Sequence, residues 1–183
     1  DSSRTFIEIA GKKALSPAYT YNANRCDARY LRQAVKQGMR IVFANVTTTW
    51  RFDGSFDTGA LNSALNAFAD YPADLGLVIR FTVTTPEDFA GKYPAELVRF
   101  AHVPDEQMTH AEYKGGLLRV LPMFASFAST AWREAGCRLV DSVIEFVTNH
   151  PQGQRVIGYM INTGETAEAL LWGCQEGLYG DFS

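Results

Sequence analysis

Met39-Arg40-Ile41-Val42-Phe43-Ala44-Asn45-Val46 is nearly continuous in apolar residues. A strand wet on one face alternates apolar with polar, so an unbroken run reads as a parallel strand covered on both faces. Leu75-Gly76-Leu77-Val78-Ile79-Arg80-Phe81-Thr82-Val83 repeats the pattern and is closed by Thr84-Thr85-Pro86. Arg155-Val156-Ile157-Gly158-Tyr159-Met160-Ile161-Asn162 is a further buried strand by the same reading, and Thr163-Gly164-Glu165 leaves its carboxyl end. With the extended piece Tyr19-Thr20-Tyr21-Asn22, near residues 17–22, these make four parallel strands.

Helical spacing fills the gaps between them. Asp27 can cap a helix carrying Tyr30, Leu31, Ala34 and Val35, which Gly38 stops. Leu61, Ala64, Leu65 and Phe68 form a second stripe, ending before Pro72. The strongest helix runs from the capping Ser129 to Asn149, with Trp132, Ala135, Leu139, Val143, Phe146 and Val147 on one face. Residues 1–17 contain a leading hairpin that turns at Gly11. Residues 86–127 are the least regular, broken by Pro86, Pro94, Pro104, Pro122 and Gly115-Gly116; within them only 94–100 reads as a short helix. Strand–helix alternation of this kind predicts an α/β fold with right-handed crossovers.

Composition narrows the function classes. The 183 residues, 20.3 kDa, suit one ordinary domain or at most two small ones. A net charge of −3, with no long basic run, argues against nucleic acid as a partner. No apolar stretch approaches the ~18 residues of a membrane span. Cys26, Cys137 and Cys174 are scattered, and three histidines lack metal-ligand spacing, so neither a disulfide framework nor a metal is expected. Cys137 and Cys174 read as small buried apolar residues. The turn after the first strand, Asn22-Ala23-Asn24-Arg25, has no glycine-rich phosphate pattern.

Sites on parallel sheets form at the carboxyl ends of the strands. There the sequence sets Asn22, Asn45, Trp50, Arg80, Glu87, Asp88, Asn162, Glu165 and Trp172. Aromatic faces stack on pyranose C–H surfaces, while amides and carboxylates bind hydroxyls; this mixture suits sugars. Each residue also has a plainer reading. Glu165 can be a first-turn glutamate favoured by the helix dipole, Trp132 and Trp172 core residues, Arg80 one half of a salt bridge, and Glu87 and Asp88 solvated charges.

From Arg155 onward the string Arg-Val-Ile-Gly-Tyr-Met-Ile-Asn-Thr-Gly-Glu-Thr, then Leu-Leu-Trp-Gly-Cys and Gly-Asp-Phe-Ser, resembles β-galactosidase-like (β/α)8 glycoside hydrolases related to glycoside hydrolase family 42. Upstream, Asp53-Gly54-Ser55-Phe56-Asp57 and Tyr93-Pro94-Ala95-Glu96-Leu97 agree. The resemblance implies a TIM-barrel domain of which residues 1–183 supply the N-terminal part, about the first four β/α units. It implies a retaining, two-carboxylate mechanism with carboxyl groups ~5–5.5 Å apart. Glu165 matches the general acid/base, and its pKa would need raising by burial and by the nucleophile's charge. Asn45, Arg80, Asn162 and Trp172 fall on the sugar-facing rim. The nucleophile, on a later strand, lies outside this sequence, and no cofactor is required.

Departures accompany the match. Gly164 stands before Glu165 where many such barrels have Asn, and Glu87-Asp88-Phe89 replaces expected aromatics. Four strands leave two open edges, so a second copy or a C-terminal half is expected to close the barrel. A non-catalytic carbohydrate-binding half-barrel and a small flavodoxin-like domain binding a phosphorylated ligand are the alternatives.

Overall fold

Ile7–Ile9 (β1) and Lys12–Ala14 (β2) pair antiparallel in the computed structural model, which describes residues 7–9, 11–14, 18–22, 28–99 and 124–163. Gly11 turns between them at φ +74°, where a side chain is disfavoured.

Ala18–Asn22 (β3) pairs in parallel with Ile41–Val46 (β4), and β4 with Gly76–Val83 (β5). Val156–Thr163 (β6) extends the sheet, whose order is β3-β4-β5-β6. Parallel neighbours need a crossover. Ala28–Lys36 (α1) supplies it between β3 and β4 and packs on β3; Gly59–Asn66 (α2) supplies the next and packs on β4. Leu31, Ala34 and Val35 of α1 are buried, as are Leu61, Ala64 and Leu65 of α2. Tyr30, expected in the α1 stripe, is 55% exposed. The α2 helix ends at Asn66, and Phe68 reaches the core from the turn that follows.

Period-2 alternation gives β4 and β5 two unlike faces. Val42, Ala44, Val46, Leu77, Ile79 and Phe81 are sealed from solvent, whereas Phe43, Asn45, Val78 and Arg80 are half-buried. The runs expected to be covered on both faces are fully covered on one. The β6 strand departs further. Ile157, Met160 and Ile161 are 39%, 43% and 39% exposed, on a strand read as buried. Among the described strands only β5 flanks it, and an apolar run does not encode what stands beside it.

The chain divides into two compact units: Asp1–Thr48, Thr58–Phe81 and Ile144–Ile161 in the first, Thr49–Asp57, Thr82–Val143 and Asn162–Ser183 in the second. In the first, Asp74 accepts from Lys12 at 3.3 Å and from Arg40 at 3.4 Å, tying the leading hairpin to the sheet. A Cβ on Gly76 would come 2.8 Å from Ile157 Cδ1 and 2.9 Å from Ile9 Cδ1, so the ends of these two side chains lie close over the start of β5. The Arg155 guanidinium donates to the carbonyls of Tyr71 and Pro72, at 2.8 and 2.6 Å, and holds the start of β6 against the loop that leads into β5.

The second unit is built on Thr130–Asn149 (α4), up to Val143. Ser129 Oγ accepts the Trp132 N–H at 3.0 Å, the expected cap, and itself donates to the Glu96 carboxylate. Trp132, Ala135, Leu139 and Val143 are buried with Trp50, Phe89, Leu97 and Val98. The helix expected over 94–100 is a single 3₁₀ turn, Pro94–Glu96, because Leu97 turns extended and bridges Ala125. Val98 N–H and Ser126 N–H complete that pairing on the Phe124 and Glu96 carbonyls. Phe89–Lys92 (α3) precedes it. Cys137 of α4 is exposed, against the buried reading; a helix shows one stripe to the core, and position 137 falls outside the stripe that Trp132, Ala135 and Leu139 define.

Candidate functional site

The parallel register sets Asn22 opposite Asn45 and Asn45 opposite Arg80. Three polar residues thus form one row across β3, β4 and β5. Asn45 and Arg80 share the half-buried face, so the row belongs to the side of the sheet that is not sealed. Asn45 Oδ1 is closed off from solvent and has no hydrogen-bond partner. A buried acceptor left unpaired costs about 1–3 kcal/mol. Any N–H or O–H donor brought to this oxygen would recover that energy.

Asn162 is the seventh of the eight residues of β6 and only 6% exposed, and its Nδ2 donor is likewise unpartnered. By alternation it belongs with Gly158 and Met160 rather than with Ile157, Tyr159 and Ile161. Of the residues expected on the rim, the sheet register therefore brings Asn45 and Arg80 together. Glu165 and Trp172 lie outside the described residues.

Trp50, expected at the rim, is core: it is 1% exposed, and its Nε1 donates to Thr84 Oγ1 at 3.1 Å. Its backbone opens a hairpin the sequence reading missed. Trp50 bridges Phe56 antiparallel, Asp57 N–H donates to Thr49 O at 3.0 Å, and Arg51 N–H donates to Ser55 O at 2.8 Å. Asp53 Oδ1 accepts both the Ser55 N–H, at 2.9 Å, and the Ser55 hydroxyl, at 2.6 Å, closing the turn. These bonds hold the Asp53 carboxyl below the usual carboxylate range. The Asp-Gly-Ser string was the available signal.

The loop after β5 fastens this hairpin. Glu87 N–H donates to Trp50 O at 3.0 Å, and Asp88 Oδ1 accepts Phe52 N–H at 2.8 Å. Asp88, expected to be solvated, also pairs with Lys92 at 2.6 Å. Partial burial pushes its carboxyl up, but Lys92 and the backbone N–H groups outweigh that and hold it below the usual range. From α4, Arg138 donates to Phe52 O at 3.0 Å. Lys92 and Arg138 each stand 5.1 Å from the centroid of the Phe52 ring.

Gly54 makes this clasp sterically exacting. It holds φ +90°, and a Cβ there would lie 2.9 Å from Arg138 C and Cβ. Gly54→Ala is expected to lower the thermal midpoint by several degrees. The left-handed backbone alone costs roughly 1–2 kcal/mol, and each kcal/mol moves the midpoint about 2–4 °C at this size. Differential scanning fluorimetry reads it, and an unchanged midpoint would show that the hairpin does not depend on the close approach.

Among the described residues no group of three or more His, Cys, Asp or Glu could hold a metal ion, and no helix is long and apolar enough to cross a membrane. No family model matches the chain, and neither a curated protein nor a solved structure matches it.

Proposed function

We propose that this chain provides the first four β/α units of a (β/α)8 glycoside hydrolase of the β-galactosidase type. Glu165 is its general acid/base, and Asn45, Arg80, Asn162 and Trp172 belong to its sugar-facing rim. One observation carries the reading: the Asn22–Asn45–Arg80 row runs through the carboxyl-terminal part of β3 and β4 on a face left half-open, and its central amide has a buried acceptor with no partner. Rotation of the Asn45 side chain toward the half-open face would bring its Oδ1 within reach of a sugar hydroxyl, which donates where the amide oxygen accepts.

The strand order supports a barrel over the flavodoxin-like alternative. A doubly wound sheet binds its ligand where the strand order reverses, and β3-β4-β5-β6 runs without reversal. In this reading the second carboxylate comes from a strand beyond these four, brought by a second copy of the chain or by the other half of the barrel. Carbohydrate is the partner, and the two-carboxylate mechanism calls for no cofactor.

Titration calorimetry with methyl β-D-galactopyranoside, and with the glucoside and xyloside in parallel, tests the rim. Asn45→Ala is expected to weaken binding about tenfold, the worth of one good hydrogen bond to a buried group. Its thermal midpoint serves as the folding control. Binding indifferent to this substitution, or no binding of any of the three glycosides, would remove the support for a sugar site.

A further inference from the structure

His150 directly follows α4, in the first compact unit, and hydrogen bonds hold both nitrogens of its ring. The Gln152 backbone N–H donates to Nδ1 at 3.1 Å, and Nε2 stands 3.3 Å from Asn62 Oδ1 on α2. A backbone N–H can only donate, so Nδ1 presents its lone pair. The proton of the neutral ring is then on Nε2, where it donates to the Asn62 amide oxygen. The arrangement therefore requires an uncharged imidazole in one tautomer. Gln152 is tied onward: its Oε1 accepts Arg155 Nε at 2.8 Å, and its carbonyl accepts the Arg155 N–H at 3.0 Å, within the 3₁₀ turn Gly153–Arg155. One ring thus joins α2, the end of α4 and the turn that enters β6. None of these residues belongs to the Asn22–Asn45–Arg80 row.

We propose that His150 is a proton-operated latch on the entry to β6, closed while the ring is neutral and released when it is protonated. Histidine is the side chain whose charge ordinarily changes between pH 5 and 8. A second proton can go only to Nδ1, which faces the Gln152 N–H. Two donors then point at each other, and the bond is lost. A Cβ on Gly153 would collide with the Val147 carbonyl, so the turn lies tight against the end of α4 and the ring is the part that moves. The unpaired carbonyls at the carboxyl end of α4 attract a charged ring. Protonation therefore swings the imidazole away from Gln152 without expelling it from the fold. The closed latch binds one proton fewer than the open one, so closure is lost as the pH falls.

The surrounding elements leave this proton in control. The ring meets Asn62, Gln152 and the Phe146 ring, whose centroid is 5.9 Å away, and all three are uncharged. Gly59–Asn66 of α2 contains no charged residue. On the loop after α2, Asp74 is engaged by Lys12 and Arg40, and burial holds the Tyr71 phenol above its usual range, neutral throughout this interval. Asp70 on that loop, and Asp141 and Glu145 on α4, take part in none of the ion pairs among the described residues. Arg155 on the turn is held by Gln152 Oε1 and by the carbonyls of Tyr71 and Pro72.

NMR of the ¹⁵N-labelled chain, taken from about pH 5 to pH 8.5 to span the histidine range, tests the latch. At the alkaline end the His150 ring nitrogens of the wild type should show the Nε2-protonated tautomer. As the ring gains its proton, exchange of the Gln152 amide with water, corrected for its intrinsic pH dependence, should rise about five- to tenfold, the worth of one ordinary hydrogen bond. His150→Asn sets an amide oxygen where Nδ1 stood, able to accept from the N–H two residues on but unable to take a proton. Its Gln152 amide should stay protected across the whole range. Asn62→Asp sets a carboxylate against Nε2 and favours the charged ring, so release should move to higher pH. The Nδ1-protonated tautomer, or Gln152 exchange that does not follow the titration of the ring, overturns the latch. So does the same pH dependence in His150→Asn, or an unmoved release in Asn62→Asp. Should His150→Asn fail to fold, the wild-type tautomer and the Asn62→Asp midpoint decide.

Discussion

Glu165→Gln is expected to lower kcat on an alkyl β-galactoside by about 10²–10⁴-fold, the usual contribution of a positioned general acid. An alkoxide is a poor leaving group and departs only as it is protonated. Glutamine keeps the size and hydrogen bonding of the side chain but has no proton to give. The substrate series separates this role from a merely structural one. With a 4-nitrophenyl galactoside the leaving phenolate needs little help, so the first step should be largely spared. Hydrolysis of the glycosyl intermediate then limits the rate, because the same residue must deprotonate the attacking water. Azide, which needs no base, should restore turnover of the variant on the nitrophenyl substrate and leave the wild type unaffected. A structural role for Glu165 would depress both substrates alike and show no azide rescue.

The reaction needs the second carboxylate, so the assay is paired with light scattering. Turnover accompanied by a mass of twice the 20.3 kDa of one chain would identify a second copy as the missing half. Sugar binding by a species with neither turnover nor any Glu165→Gln effect would identify the non-catalytic binding domain.

What the sequence made legible, and what it did not, follows from the range of the interactions. The Gly11 turn, the Ser129 cap and the apolar runs of β4 and β5 are local signals, and each appears where its residues stand. Polar residues near the strand ends were equally visible one strand at a time. Their alignment into a row was not, because register is a relation between strands and no single strand encodes it. Trp50 illustrates the converse. An aromatic residue after a strand suits either a sugar platform or a core, and the choice depended on Thr84, 34 positions away, which takes its indole N–H. Asp88 read as a solvated charge for the same reason: its partner backbone, at Phe52, is 36 positions distant. The exposed side chains of β6 were hidden because an apolar run reports what a strand can bury, not what is beside it.

The asymmetry of the sheet yields the other large effect: Phe81→Ala is expected to destabilise the fold by about 3–5 kcal/mol, the range for truncating a buried aromatic side chain. Phe81 is fully buried, stands in register with Val46 across β4, and points opposite to its neighbour Arg80. Val78→Ala removes apolar atoms from the half-buried face of the same strand. Truncation there exposes less surface that had been dry and leaves a gap that solvent can enter, so the loss per carbon removed should be well under half as large. Urea denaturation of both variants measures the difference. Against a total stability of about 5–15 kcal/mol, the Phe81 variant approaches the unfolding threshold, while the Val78 variant does not. Because Phe81 belongs to the first compact unit, a two-step transition should show its loss in the step that melts the sheet. Equal losses per carbon removed would mean that the face bearing Asn45 and Arg80 is as fully packed as the other. The row would then be structural, with no opening through which a sugar could reach it.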